Sequence, residues 1–187
     1  MTKKQLNIFK NLPELETKRL ILKKITVDTL IDVHEYRSDE SVSKYLLWNK
    51  EKSLDETRIY LEYLEELYRK GKFYDFGIFL KENGKMIGTV GFATIDLRKN
   101  EASVGYVLNS NYWGRGIASE ALQKIVEFGF FTLGFKRLFA KFAEPNVRSR
   151  GVLLKCGFKH YGEEDRLWFI KEKSLKVLIY SLDNNNR

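Results

Sequence analysis

The residues best placed to do chemistry are Tyr112-Trp113-Gly114-Arg115-Gly116-Ile117-Ala118-Ser119-Glu120-Ala121. A strand-like run, 103–108, precedes them. An amphipathic pattern through about residue 132 follows, with Ala118, Ala121, Leu122, Ile125 and Val126 on one face. Glycines where a strand turns into a helix leave the first backbone N–H groups open to a ligand. Aligned peptide dipoles add roughly half a positive charge at the same point. Together they make a seat for phosphate or pyrophosphate. A plain turn into a helix would read the same way, so the stretch alone leaves both readings open. The dinucleotide fingerprint does not fit, because Gly114-Arg115-Gly116 lacks a third glycine at the required spacing, and no Gly-Lys-Ser/Thr follows to make a P-loop.

Other reactive side chains are sparse. The single cysteine, Cys156, directly precedes Gly157. It lies at the end of a predicted helix, where the dipole disfavours a thiolate, so a buried structural thiol is the better reading. One cysteine also excludes an intrachain disulfide. His34 and His160 are isolated, with no His-x-x-x-His spacing, so no metal site is expected. No base–serine–acid set marks a hydrolase.

The elements that must carry the glycine turn follow from periodicity. Residues 1–12 read as an N-terminal arm ending at Pro13, and 19–25 as a first strand. Thr26 or Asp28 caps a helix to about 36, and a second short helix covers 40–46. Ser53-Leu54-Asp55-Glu56 fits a capping box. The helix it opens runs to 70, with Ile59, Tyr60, Tyr63, Leu64 and Leu67 as its apolar stripe. Runs 74–81, 86–95 and 102–108 form an antiparallel meander, joined by Asn83-Gly84 and Arg98-Lys99-Asn100. After the central helix come a strand at 137–143, a helix from Asn146 to Gly157, strands at 158–162, 167–172 and 175–182, and a polar tail at 183–187. That order predicts an α/β (α+β) fold, a mixed and mainly antiparallel sheet with helices on both faces, in a single domain over 1–187.

Composition fits this picture. Hydrophobic residues make up 43% and charged ones 31% of 187 residues, which suits one soluble globular domain. No signal core or membrane-length apolar run is seen, so a cytoplasmic protein with no membrane partner is expected. The net charge of +8 is spread along the chain and is read as a solvated surface, with no direct nucleic-acid partner.

In this order the residues resemble the GNAT acetyltransferase superfamily, in the bacterial branch that includes ribosomal-protein-alanine N-acetyltransferases. The resemblance spans 16–182. Two signatures carry it. One is the acyl-CoA motif, Arg/Gln-x-x-Gly-x-Gly/Ala, which falls on Trp113-Gly114-Arg115-Gly116-Ile117-Ala118 and runs into Ser119. The other is Pro145-Asn146-Val147-Arg148-Ser149-Arg150, leading to Lys155-Cys156-Gly157-Phe158. The resemblance implies acetyl-CoA as cosubstrate. Tyr106, Val107 and Leu108 would then lie along its pantetheine arm, and Arg115, Gly116, Ile117 and Ala118 would take its pyrophosphate. Asn146 would bond the pantetheine and Ser149 would lie near the thiol, although both residue types also suit helix capping. Trp113 departs from the family's Arg or Gln. Leu153 stands where some relatives carry a tyrosine acid. Ser103 stands where relatives often carry Glu, and Glu101 lies two residues earlier on the same strand face.

The implied reaction is acetyl transfer to a primary amine. Glu101 is the candidate proton acceptor through a water, with Ser103 as a relay. Trp48, Tyr74 and Tyr106 are candidates for lining the acceptor pocket or for plain core packing. An α-amine, with a pKa near 7.8, needs less help to lose its proton than a lysine near 10.4. That chemistry favours an α-amine, and the resemblance implies a protein N-terminus, such as that of a ribosomal protein, as the acceptor. The alternatives are a small amine (polyamine, amino acid or aminoglycoside) and a noncatalytic CoA-sensing or ribosome/RNA-binding protein. A monomer or homodimer is expected.

Overall fold

The computed structural model describes residues 8–164, 167–170 and 172–184. Most of the arm, 1–7, and the end of the tail, 185–187, lie outside the described residues. Within the arm Phe9 is fully buried against Tyr74 and Phe92.

Ten strands and five α-helices are described: β1 (Leu15–Glu16), β2 (Leu20–Lys23), α1 (Leu30–Arg37), α2 (Glu40–Ser43), α3 (Leu54–Lys70), β3 (Asp75–Leu80), β4 (Met86–Asp96), β5 (Glu101–Leu108), α4 (Ile117–Glu127), β6 (Arg137–Ala143), α5 (Val147–Lys155), β7 (Lys159–Glu163), β8 (Trp168–Ile170), β9 (Lys173–Leu175) and β10 (Val177–Asp183). Eight of the strands form one sheet in the order β1-β2-β3-β4-β5-β6-β10-β7. Its pairs are antiparallel except β5–β6, which is parallel because α4 lies between the two in sequence. The mixed, mainly antiparallel sheet flanked by helices is the architecture expected.

Apolar side chains leave both faces of the sheet. On one face Ala102, Val104 and Leu108 of β5 join a core with Ala121, Leu122 and Ile125 of α4 and Leu153 of α5. On the other, Phe79 and Met86 pack with Val33 and Tyr36 of α1 and Leu61, Leu64 and Tyr68 of α3. Covering on both sides explains why β3 and β4 read as nearly unbroken apolar runs.

Several expectations need correction. On α3 the buried face is Thr57, Leu61, Leu64 and Tyr68. Ile59 and Tyr63 are exposed, because the helix turns its 57/61/64/68 row to the sheet and they lie on the opposite side. Ser53 caps α3 through the Glu56 N–H (3.3 Å), but the Glu56 carboxylate reaches one residue further, to the Lys52 N–H (2.7 Å). The short helix at 40–46 stops at Ser43. The run 167–172 is not a strand of the main sheet, since β8 pairs with β9 as a separate hairpin. β1 is an added edge strand. The central helix ends in a π turn, Phe128–Thr132, where the Leu133 N–H bonds the Phe128 carbonyl at 3.0 Å.

Two polar networks hold the ends of the site-bearing elements. Arg37 is sandwiched between the rings of Trp48 and Tyr60, at 4.3 and 3.7 Å, and bonds Glu51 at 2.5 Å. The Thr57 hydroxyl joins both Glu51 and His34 Nδ1. This pins segment 44–52 over α1 and α3. Beyond β5, Asn109 and Asn111 bond the Glu35 carboxylate and Ser110 bonds Asp39, tying the strand end to α1 and α2.

Candidate active site

β5 and β6 pair only over Glu101–Val104 and Arg137–Ala140. Beyond that point the two strands part, while β5 stays paired to β4 as far as Leu108. Asn109, just past β5, donates its N–H to Ile87 of β4 (2.8 Å). Antiparallel alternation therefore turns the peptide groups of Tyr106 and Leu108 toward the opened edge. There the Leu108 carbonyl accepts the Trp113 indole N–H at 2.8 Å. The gap continues into an open cleft of about 1700 Å³ that reaches both faces of the sheet.

One wall of the cleft is the glycine turn. Gly114 and Gly116 adopt φ of 76° and 73°, in the left-handed region that favours glycine. Gly116 is the N-cap of α4 and makes no side-chain cap bond, so the first N–H groups of an eleven-residue helix face the cleft without an internal partner. Glu120 holds the turn from behind. Its carboxylate takes the Arg19 Nε (2.7 Å), the Arg19 N–H (2.9 Å) and the Thr17 hydroxyl (2.6 Å), while Arg19 also reaches the Arg115 carbonyl (3.0 Å). Burial alone would raise the Glu120 pKa, but these donors outweigh it and hold the carboxyl below its ordinary value. The Arg148 guanidinium lies 4.5 Å from the centre of the Trp113 ring, and Arg115 lies over Tyr112. Cations thus flank the anion seat. An uncapped helix start, two left-handed glycines and two flanking arginines fit a pyrophosphate.

α5 supplies the other half of this wall. Asn146 caps it through the Ser149 N–H (3.2 Å), which leaves the Asn146 amide nitrogen without an assigned role in the cap. The Tyr106 hydroxyl bonds both the Ser149 hydroxyl (2.8 Å) and the Ser149 carbonyl (2.9 Å). Burial raises the Tyr106 phenol well above its ordinary pKa, and the Ser149 bond only partly offsets this, so the phenol keeps its proton. Cys156 lies beside this pair, with its Sγ 3.5 Å from the Ser119 carbonyl and its pKa pushed up to about 11 by burial. Such a thiol is a poor nucleophile at neutral pH.

The residues expected to bind the cofactor therefore come together. Tyr106, Val107, Leu108, Trp113, Gly114, Gly116, Ile117, Ala118, Ser119, Asn146 and Ser149 all line the cleft, and Arg115 flanks it.

The expected proton relay sits on the other sheet face. Ser103 bonds Thr94 at 2.5 Å. Glu101 is the first residue of β5, in register with Asp96 and Arg137, and also borders the cleft. Of the aromatic candidates, Trp48 and Tyr106 line the cleft, while Tyr74 faces the opposite core and packs on Phe9 at 4.5 Å. Asp75, at the start of β3, was missed and also lines the cleft. An acidic residue opening a strand reads in sequence as a solvated turn residue, and only strand pairing places it here. Among the described residues no group of His, Cys, Asp and Glu is arranged to hold a metal ion, and no helix is long and apolar enough to cross a membrane.

Known proteins are similar to this chain in sequence and fold. The family described as "Acetyltransferase (GNAT) domain" matches residues 19–159. The uncharacterized N-acetyltransferase p20 of Bacillus licheniformis is 33% identical over 168 residues, covering 90% of this chain and 94% of the relative. The [ribosomal protein uS5]-alanine N-acetyltransferase of Escherichia coli is 26% identical over 100 residues, covering 53% of this chain and 52% of the relative. The crystal structure of a GNAT-family acetyltransferase from Bacillus anthracis superposes with a TM-score of 0.81 at 23% identity, covering 91% of this chain and 98% of that one. The glycine turn, the parted strands and these likenesses agree: the chain belongs to the GNAT family of acetyltransferases.

Proposed function

We propose that the cleft transfers the acetyl group of acetyl-CoA to a primary amine, with the N-terminal α-amine of a protein, such as a ribosomal protein, as the acceptor. The observation that carries this reading is the parting of β5 from β6 beside an uncapped helix start. It presents backbone donors to a thioester and a cationic dipole end to a pyrophosphate in one continuous cleft.

Acetyl-CoA supplies an activated acetyl thioester. The first N–H groups of α4, around Arg115, Gly116, Ile117 and Ala118, hold its pyrophosphate. Tyr106, Val107 and Leu108 lie along the pantetheine arm, and Asn146 offers its amide nitrogen to the arm. The N–H groups on the open edge of β5 polarise the thioester carbonyl where negative charge develops. The Tyr106–Ser149 pair is protonated and sits on the cofactor side, so Ser149 can return a proton to the departing thiolate while Tyr106 supports its hydroxyl. A thiol pKa of about 8.5 makes that assistance helpful but not essential. Across the sheet, Glu101 and Ser103 border the cleft and form an exit by which a proton released in the site can pass to solvent.

The α-amine preference rests on proton chemistry. About a tenth of α-amines are neutral at pH 7, against roughly one lysine in a few thousand. Among the described residues the acceptor face carries carboxylates but no strongly basic group poised to strip a lysine. Sequence similarity to an alanine N-acetyltransferase of ribosomal protein uS5 points the same way. The test is to incubate the protein with acetyl-CoA and a panel of N-terminal peptides, polyamines, amino acids and aminoglycosides, with mass detection. Acetylated peptide N-termini are expected. Acetylation confined to small amines would reassign the acceptor, and CoA binding without any transfer would point to a CoA sensor.

A further inference from the structure

On the acceptor face, β3, β4 and β5 align Asp75, Gly91 and Gly105 in one register row. Residues opposite one another across strands share a face, so the Asp75 side chain stands at one end of a floor made of two glycines. The carboxyl leans over that floor. A Cβ added at Gly91 would lie 2.5 Å from Asp75 Oδ1 and 2.4 Å from Asp75 Cα. Gly91 is the close-approach position that lets the carboxyl lie down. At Gly105 a Cβ would meet only Ala93, at 3.9 Å. The Cα of Asp75 is about two strand spacings, roughly 10 Å, from that of Gly105, and the carboxyl spans part of this distance. Gly105 is the first β5 residue past the point where β6 leaves.

The carboxylate has no partner to neutralise it. Among the described residues it takes part in no ion pair and no side-chain hydrogen bond, and only its backbone carbonyl is engaged, by the Tyr68 hydroxyl at 2.6 Å. The ionisable groups that face it are Tyr36 from α1 and Tyr60 and Tyr68 from α3, and Arg37 is stacked on the Tyr60 ring at 3.7 Å. Burial keeps the three phenols protonated. The Arg37 charge is matched by Glu51. Burial alone thus sets the Asp75 carboxyl, and pushes its pKa up to about 7. A proton acceptor works best when its pKa lies near the operating pH, whereas Glu101 stands four residues before Gly105, at the start of β5 and the cleft margin.

Resting on the acetyl-transfer reading above, we infer that Asp75 is the group that takes the proton from the incoming amine. The ammonium gives one proton to the Asp75 carboxylate, directly or across one water lying over Gly91 and Gly105. The neutral nitrogen then forms the C–N bond as the C–S bond breaks. Its second proton goes to the thiolate as CoA leaves, and Asp75 releases its own proton to solvent.

The test is the pH dependence of kcat/KM and kcat for the wild type, Asp75→Asn and Glu101→Gln, with two acceptor amines of different pKa. The wild type should show an acidic limb near pH 7 that stays in place when the amine is changed. Asp75→Asn should lose that limb and about 100-fold or more in kcat, while its calorimetric Kd for acetyl-CoA stays within about twofold. Glu101→Gln should keep the limb. Asp75→Ala, assayed with added formate, gives a second route, and recovery of rate is expected. Asp75→Asn with the same limb and kcat within about threefold of wild type would overturn the assignment. A rise in KM alone would also overturn it, showing that Asp75 only binds the acceptor. A wild type that acetylates no amine would remove the acetyl-transfer reading, and this assignment with it.

Discussion

Tyr106 and Ser149 show how one hydrogen bond joins two elements of the proposed site. Tyr106 comes from β5 and Ser149 from the first turn of α5, 43 positions away in sequence. Ser149→Ala should lower kcat by roughly 10–100-fold with little change in acetyl-CoA affinity, since general-acid assistance acts on the leaving step. Tyr106→Phe should do less, because it removes support for the Ser149 hydroxyl and leaves the hydroxyl itself. Steady-state kinetics with a saturating amine separate the two. Asn146 and Ser149 were legible in the sequence because they stand at fixed spacing after Pro145 and before Cys156-Gly157. The bond from Ser149 to Tyr106 was not, because it depends on how α5 docks against β5. Asp75 was illegible for a related reason. Its role depends on facing Gly91 and Gly105, and each of those glycines alone reads only as a weak point in a strand.

At the scale of elements, the start of α4 and the segment 44–52 carry the two sides of the cleft. Gly116→Ala places a Cβ on a left-handed N-cap, where the backbone cost is about 1 kcal/mol. The site should then bind acetyl-CoA about 5–10-fold more weakly, measured by calorimetry, while kcat at saturation changes less. Arg37→Ala leaves the buried Glu51 without its cationic partner and removes the guanidinium from the Trp48 ring. A loss of about 3–5 kcal/mol is expected in urea unfolding, with a raised KM for the amine from loosening of the acceptor side. Elements with strong local signals were legible: β6 was placed residue for residue, Ser53 was identified as a cap, and the α5 helix was started at Asn146. The apolar stripe of α3 was misjudged because Ile59 and Tyr63 carry the helical period as well as Leu61 and Leu64 do. Only the sheet decides which row is buried. The β8–β9 hairpin reads as strand, but nothing local says that it leaves the main sheet.

For the whole molecule, the half-buried Asp75 couples stability to pH. Its pKa is pushed up to about 7 in the fold from an ordinary value of 3.8, so between those values the folded state holds a proton that the unfolded chain releases. This stabilising proton is fully present at low pH and is lost as pH rises through 7. Asp75→Asn should therefore melt higher than the wild type at pH 8, by several °C at about 2–4 °C per kcal/mol for a chain of this size. The difference should be far smaller at pH 4. Scanning calorimetry at both values checks the sign. A gain in stability alongside a loss of rate is the expected signature of a group kept for function. The overall architecture was legible because alternation, turns and helical periods agree along the chain. The width of the cleft was not, because it arises where β5 and β6, more than thirty residues apart in sequence, stop pairing.

Transfer to an α-amine is what distinguishes the proposed chemistry of this cleft from transfer to a lysine or a small amine. The most direct measurement uses one peptide carrying both a free N-terminal alanine and an internal lysine, incubated with acetyl-CoA and the protein, with the acetyl group located by fragmentation mass spectrometry. Acetylation of the N-terminal amine is expected, with the lysine left free. Acetylation of the lysine in preference to the N-terminus, or transfer only to small amines in the same tube, would contradict it.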